Sequence, residues 1–334
     1  MRIAIVTPPI IGHEHRGTGL YVQYLYKELS KDTNIEIEKI SLNANKKNFD
    51  IVHYPYFDPF FLTLPLTKII PTVVTVHDLI PLKYPNNFPK GIRGTMKWWI
   101  QRYSLQSTPA IITDSDASKE DICRYAGISE DNIYVIYLGV GIQFKNLKKR
   151  RKNFILHVGD VNFNKNIPRL LGAFHKAVGT FPDLKLMLVG KGFVTDTREL
   201  QNLKKLVKTF GIAQKVVMIG SVDEKRLVDL YNTASLYVQP SLAEGFGLPV
   251  LEAMACGCPV VVSNCISLSE ITNGAAVEVD PLDEQSIASG ILSIINDEKQ
   301  RKKLSLLGLR HVDNFTWEKT AAKTIDVYKK VLLT

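Results

Sequence analysis

No stretch of the 334 residues approaches the ~18 uncharged apolar residues that would span a bilayer as a helix. The opening, MRIAIVTPP, lacks the longer apolar core and small-residue cleavage site of a signal peptide. A cytoplasmic protein, soluble or peripheral, is therefore expected. Cysteine is scarce. Cys123, Cys256, Cys258 and Cys265 supply no C-x-x-C and no second pair, so free buried thiols fit better than a structural zinc. The long segment Pro8–Arg16 before Gly17-Thr18-Gly19 holds no clean G-x-G-x-x-G, which argues against a dinucleotide fingerprint. No nucleic-acid module or stacking motif accompanies the basic charge, so no nucleic-acid partner is expected.

What is present is ordinary in bulk: hydrophobic residues are 45% and charged residues 22%. The length suggests two domains. A net charge of +9 suits an anionic partner, whether nucleic acid, a phosphorylated ligand or an acidic membrane, and does not choose among them.

Short β-branched runs alternate with amphipathic segments. Strands are predicted at Arg2–Thr7, Ile35–Ser41, Ile51–Tyr54, Thr72–His77, Ala110–Asp114 and Ile133–Ile136, with helices such as Gly19–Lys31 and Ile92–Gln106 between them. Residues 139–153, GVGIQFKNLKKRRKN, carry no apolar periodicity and read as a linker. A second series follows at Phe154–Val158, Lys185–Val189, Val216–Ile219, Leu236–Gln239, Pro259–Val262 and Ala276–Val279. Alternating strands and helices predict an α/β protein of two doubly wound Rossmann-like domains, with ligands bound in a cleft at the carboxyl ends of the strands. The expected domains are 1–145, 146–316, and a terminal helix 317–334 packing back on the first domain, its start capped by Thr316.

The richest segment is Ser235–Pro259, SLYVQPSLAEGFGLPVLEAMACGCP. A buried-type strand ends at Pro240, Glu244-Gly245-Phe246-Gly247 makes a glycine-punctuated turn, and Leu248 and Pro249 open a helix that Gly257 ends. A strand, a glycine-rich turn and a helix N-terminus in that order bind phosphate through backbone N–H groups and the helix dipole. Glu244 and Glu252 flank the anion site. A carboxylate repels a diphosphate, so these two suit neutral hydroxyls on either side of it, a sugar and a ribose. For Glu252, expected in the first helical turn, the alternative is an acid favoured at a helix start.

This segment resembles the E-x7-E signature of retaining GT-B glycosyltransferases of group 1. VGDVNFNKNIPRLLGAF, LMLVGKG, VVMIGSV, LYNTASLYVQPS, SNCISLSEI and AAVEVDPLD resemble successive pieces of that family, so the resemblance covers nearly the whole chain. It implies GT-B architecture with an N-terminal acceptor domain and a C-terminal donor domain. It assigns Glu252 to ribose hydroxyls, Glu244 to the transferred sugar, and the N–H groups of Gly245, Phe246 and Gly247 to sugar and diphosphate, with Leu248 as a further donor contact. Lys165 matches the phosphate-binding lysine, with a solvated loop lysine as the alternative. Gly17, Thr18 and Gly19 match the N-terminal glycine loop. Gly159, Gly190, Gly220 and Val222 border the nucleotide. His77 matches a histidine near the donor sugar, or else is a structural histidine, and Asp78 either orients it or caps the next turn. Ser115 and Ser118 are helix caps or ligand contacts.

Asp160 stands where many members carry arginine, leaving Arg169 as a candidate second cation. With no D-x-D near a strand end, no metal is expected and the only cofactor-like ligand is the sugar nucleotide itself, GDP-mannose or a UDP-hexose. The implied reaction is retaining, front-face hexosyl transfer to a glycan or lipid-linked acceptor, as in polysaccharide biosynthesis. A GT-B sugar-nucleotide 2-epimerase and a non-catalytic sugar-nucleotide-binding protein are the competing readings. Residues 90–106, KGIRGTMKWWIQRYSLQ, interleave basic and aromatic residues as an interfacial helix does, with Lys148–Lys152 as a further basic run. The same helix fits a partly buried role for Trp98 and Trp99.

Overall fold

The computed structural model of the protein describes residues 1–7 and 17–333. The chain forms two compact units, Met1–Gly139 with Phe315–Thr334, and Val140–Asn314.

In the first unit, the parallel strands are β1 (Arg2–Val6), β2 (Glu36–Ile40), β3 (Ile51–Tyr54), β4 (Thr72–Thr75), β5 (Ala110–Thr113) and β6 (Ile133–Val135), in the order β2-β1-β3-β4-β5-β6. The helices are α1 (Thr18–Leu29), α2 (Ile80–Lys83), α3 (Gly91–Gln106), α4 (Asp116–Ala126) and, from the end of the chain, α12 (Trp317–Leu333). Strands β3, β4 and β5 are buried at every residue. That explains their mostly β-branched and apolar character, broken in β3 by His53, since a parallel sheet is covered on both faces. Each fully buried side chain such as Ile3, Leu25 or Ile51 contributes about 2 kcal/mol of burial energy.

The second unit holds β7 (Lys152–Val158), β8 (Lys185–Val189), β9 (Val216–Ile219), β10 (Ala234–Gln239), β11 (Val260–Ser263) and β12 (Val277–Val279), ordered β12-β11-β10-β7-β8-β9. Between and after them lie α5 (Ile167–Thr180), α6 (Arg198–Thr209), α7 (Glu224–Thr233), α8 (Leu248–Ala255), α9 (Ile266–Thr272), α10 (Glu284–Asn296) and α11 (Glu298–Val312). Helix α5 shows how pattern becomes packing: Ile167, Leu170, Leu171, Phe174, Ala177 and Val178 are buried, at the spacings that put them on one helical face.

Strand order reverses between β7 and β10 here, and between β1 and β3 in the first unit. At such a switch point the loops leave in opposite directions and open a crevice beyond the strand ends.

Two readings of the linker region change. Its last residues, Lys152 and Asn153, open β7. Its basic run is also committed within the second unit: the Arg151 guanidinium donates to the carbonyls of Tyr231, Ala234, Cys256 and Gly257, and Lys149 pairs with Asp229 at 2.7 Å. Carbonyls left over at the ends of α7 and α8 need donors, and Arg151 supplies them, while Lys148, Lys149, Arg150 and Lys152 stay exposed.

Helix α12 begins at Trp317, with Thr316 Oγ1 accepting from Lys319 N at 3.3 Å. Trp317 stacks on Tyr24 of α1, centroids 5.0 Å apart. Gly139 allows that approach, because a Cβ there would lie 2.2 Å from Trp317 N.

Candidate functional site

In the second unit the predicted donor residues stand beyond the carboxyl ends of β7, β8, β9 and β10 and in α8, with Lys165 and Glu244 at the switch point. The register Val158↔Val189 and Val189↔Ile219 puts Gly159, Gly190 and Gly220 in a row, each one residue past its strand. Gly159 N donates to Val189 O at 2.9 Å, and Gly190 N to Ile219 O at 3.1 Å. Gly190 is obligatory: a Cβ would stand 1.9 Å from Gly159 O. Val222 follows Gly220, half-exposed.

Lys165 closes a single 3₁₀ turn after β7, Phe163–Lys165. Asn166, with φ 58, then hands the chain to α5 while its side-chain amide donates to Pro240 O and Pro281 O at 2.9 and 2.7 Å. The loop after β10 is tied to the same turn by Leu242 N donating to Asn164 O at 2.7 Å and by the Asn164 amide donating to Ala243 O at 3.2 Å. These bonds bring Lys165 to Glu244: Nζ lies 2.7 Å from Oε1 and 2.8 Å from Oε2. Oε1 also accepts from Gln239 Nε2 at 2.8 Å and Ser241 Oγ at 2.6 Å. The side chains are only 8% (Glu244) and 16% (Lys165) exposed. The carboxylate is thus a fixed acceptor, desolvated and fully compensated, as a buried charge must be.

Gly245 and Phe246 lead to Gly247, whose φ of 116 starts α8 at Leu248. A Cβ on Gly247 would press within 2.6 Å of Leu268 and 2.7 Å of Ile271, so backbone conformation and packing both require glycine. Glu252 is the fifth residue of α8, not in its first turn. The dipole falls off within that turn, so a helix-start preference does not account for this acid. Glu252 is half-buried and accepts from Tyr231 Oη at 2.9 Å. Burial pushes its carboxyl up to about 7, against the lowering effect of the Tyr231 hydrogen bond.

Asp160 accepts from Gly192 N at 3.0 Å and so fastens the loop after β7 to the loop after β8. Arg169 is bonded to Asn166 Oδ1 at 3.0 Å, which commits it to the first turn of α5.

Sequence reasoning did not single out His157. It is completely buried in β7; its Nδ1–H donates to Val238 O at 2.9 Å, and burial holds the imidazole down at about 4. Its Nε2 has no partner among the described residues. A Cβ on Gly159 would lie 3.2 Å from that Nε2 and 3.5 Å from Lys165 Cε, so His157 underlies the lysine.

In the first unit, His77 follows β4. The register is a constant offset of 37, Val73↔Ala110 through Thr75↔Ile112, and extending it one step past β5 sets His77 beside Asp114. His77 Nδ1 lies 2.6 Å from Asp114 Oδ2, and Nε2 lies 3.2 Å from Pro55 O. Burial opposes charging the imidazole, but the buried carboxylate outweighs it and raises the His77 pKa. Asp114, not Asp78, therefore orients this histidine; Asp78 Oδ1 instead accepts from Ile80 N at 3.0 Å, capping the next turn. Ser115 caps α4 by accepting from Ser118 N, and Ser118 Oγ donates to His77 O at 2.9 Å. Beneath, His53 bridges Tyr328 Oη of α12 and Thr75 Oγ1 at 2.6 and 2.8 Å, and Tyr21 Oη meets Thr75 Oγ1 at 3.0 Å. The Tyr21 ring stands edge-on to His77, 4.9 Å between centroids. Gly17 precedes α1, which starts at Thr18 and continues through Gly19; the predicted loop Pro8–Arg16 lies outside the described residues.

Cys123, Cys256, Cys258 and Cys265 are free. Among the described residues, no helix is long and apolar enough to cross a membrane.

Comparison with known proteins agrees with this geometry. The family model described as glycosyl transferases group 1 matches residues 141–306, and that described as glycosyltransferase family 4 matches residues 8–144. An O-antigen chain mannosyltransferase B of Escherichia coli is 31% identical over 295 residues, 84% of this chain and 75% of that one. A serotype-specific mannosyltransferase of Escherichia coli is 26% identical over 82% of this chain, which spans 35% of that longer protein. Among solved structures, a sucrose-phosphate synthase from Thermosynechococcus elongatus superposes with a TM-score of 0.80 over 99% of both chains at 19% identity, a likeness of fold.

Proposed function

The chain belongs to the group 1 glycosyl transferases, and on that premise we propose that it moves a hexose from a nucleotide-diphosphate sugar to a glycan or lipid-linked acceptor. It is a GT-B glycosyltransferase; the donor, the stereochemistry and the acceptor are the proposal. The observation that carries it is the Lys165–Glu244 pair at the β7/β10 switch point, fixed by Gln239, Ser241 and the asparagine ties beside the start of α8.

The chemistry follows from the charges. Lys165 and the α8 N-terminus favour a diphosphate. When the bond from the anomeric carbon to the diphosphate oxygen breaks, negative charge grows on that oxygen, and a fixed ammonium stabilises it most at that moment. The acceptor hydroxyl attacks from the same face and its proton passes to the departing diphosphate, so configuration is retained and no metal is needed. Glu244 accepts from the sugar's hydroxyls and Glu252 from the ribose. His77 is assigned to the transferred sugar on the family resemblance alone. The relatives named mannosyltransferases support GDP-mannose ahead of a UDP-hexose. A lipid-linked acceptor would put the work at the cytoplasmic membrane surface, with the protein peripheral to it.

The test is a thermal-shift series with GDP, UDP, ADP and TDP, with and without EDTA, on wild type and Glu252→Ala. A nucleotide at 100 times its Kd stabilises by about 2.7 kcal/mol. One base should shift wild type, survive EDTA and fail on Glu252→Ala. The matching sugar nucleotide then discriminates by product: a glycoside supports transfer, whereas a C2 epimer or untouched donor across an acceptor panel rejects it.

A further inference from the structure

Helix α3 carries two apolar stripes. Gly94, Trp98, Gln101 and Leu105 are buried against the first unit. Ile92, Met96, Trp99 and Tyr103 repeat the same spacing on another face and are exposed, Ile92 at 84% and Tyr103 at 67%. A monomer has no reason to keep a second such stripe in water, and a contiguous exposed apolar patch marks an interaction surface.

The segment after β3 enlarges the stripe. Gln101 Oε1 accepts from Thr63 N at 2.9 Å and Leu64 N at 3.1 Å, which lays residues 60–69 along α3. Lys97 Nζ sits 5.2 Å from the Phe61 ring centre, so the two elements meet at their outer edges. Phe61, Leu62, Leu66 and Ile69 on this segment are all exposed. Sequence alone pointed to residues 90–106; residues 60–69 join them only in the fold.

The charge around the patch names its partner. No Asp or Glu occurs between Asp58 and Asp78 or between Asp78 and Asp114. Lys90, Arg93 and Lys97 lie on or beside α3, and among the described residues none of them is paired with a carboxylate; Arg102, half-buried, donates to Ala126 O at 3.0 Å. A protein partner's groove would call for mixed charges and satisfied polar rims. Aromatic and aliphatic side chains ringed by cations of a single sign instead match the plane of an anionic bilayer: the rings enter the headgroup region and the basic residues meet lipid phosphates.

We propose that the exposed face of α3, with the segment 60–69, docks on an anionic lipid surface. This deepens the lipid-linked-acceptor reading and uses none of the donor-site residues, so either can fail alone.

The test is co-sedimentation of the full chain with vesicles of phosphatidylcholine, with or without a third of phosphatidylglycerol, while GDP and UDP thermal shifts are followed on the same preparations. Wild type should pellet with the anionic vesicles and stay in solution with the neutral ones. Each basic residue near an anionic surface adds about fivefold to partition, so Arg93→Glu/Lys97→Glu should lose binding by a hundredfold or more. Ile92→Ser/Trp99→Ser should also lose it. None of these positions belongs to the donor site, and Ile92, Arg93 and Trp99 are exposed with Lys97 half-exposed, so nucleotide-induced stabilisation should not change. Wild type that ignores anionic vesicles, variants that bind as wild type does, or a concentration-dependent dimer abolished by Ile92→Ser/Trp99→Ser would each overturn the assignment. A flat nucleotide shift with vesicle binding intact would strike the donor-site reading and leave this one standing.

Discussion

Nucleotide binding should weaken as pH falls from 7 to 5, and Glu252 should be the reason. Its carboxyl is pushed by burial up to about 7, from an ordinary value of 4.5. The sign follows from linkage. Between pH 4.5 and 7 the folded chain holds a proton that the unfolded chain has released, so raising the pH through that window costs stability. The cost is absent below it and reaches about 3 kcal/mol above it, at 1.36 kcal/mol per pKa unit. In the proposed role, ribose hydroxyls would donate to the ionised form and so recover part of that cost. Apparent Kd should therefore rise about tenfold for each pH unit below 7, because each factor of ten in proton competition is 1.4 kcal/mol. The diphosphate's own last proton titrates near pH ~6, so wild type needs a reference. Glu252→Gln keeps an acceptor and removes the titration. Calorimetric Kd for the preferred nucleoside diphosphate, from pH 5 to 8 and in buffers of differing ionisation enthalpy, should show proton release in wild type. The Glu252→Gln variant should show a slope shallower by about one proton. Parallel slopes would refute the role given to Glu252.

The remaining predictions concern neighbouring devices. Lys165→Ala should cost about 3–5 kcal/mol by stranding the Glu244 carboxylate, and Lys165→Ala/Glu244→Gln should regain part of it; additive losses in thermal unfolding would mean the pair is uncoupled. Asp114→Asn removes the charge that raises the His77 pKa, so an NMR titration of His77 should move downward, and an unmoved midpoint would locate the cause elsewhere. Gly247→Ala must place a Cβ against Leu268 and Ile271 at φ 116, with an expected loss of about 2–4 kcal/mol in denaturant unfolding. Tyr328→Phe leaves His53 Nδ1 without the hydroxyl 2.6 Å away and should cost about 1–3 kcal/mol; an unchanged melting temperature would mean the chain from α12 to Thr75 contributes nothing.

Much of the local structure of the candidate site was legible because its signals are local. Glycines that must stand one residue beyond a strand, and two acids with seven residues between them across a helix start, are written in a short stretch of chain. What escaped is instructive. His157 reads as one more residue of a buried strand, and only its register beside Val238, with the absence of a partner for Nε2, sets it apart. Asp114 was passed over in favour of the adjacent Asp78, since sequence offers proximity along the chain. The strand register overrides it, carrying His77 to a residue 37 positions away. Glu252 was put in the first helical turn, whereas with the helix starting at Leu248 it stands fifth, just past that turn. Arg151 looked like one more cation of the run 148–152, since nothing in its own residues reveals the carbonyls at the ends of α7 and α8 that it satisfies.

By itself, then, the sequence determined what depends on spacing within a few residues: two series of parallel strands, the glycine-punctuated turn at 244–249 leading into a helix, and the amphipathic terminal helix. Periodicity and turn chemistry are local, and burial enforces them. Tertiary structure alone decided which side chains meet across the sheets: Lys165 with Glu244, His77 with Asp114, His53 with Tyr328, and the segment 60–69 with α3. Each of those pairs joins residues separated by tens to hundreds of positions, and strand order and register, which no short window contains, set their distances.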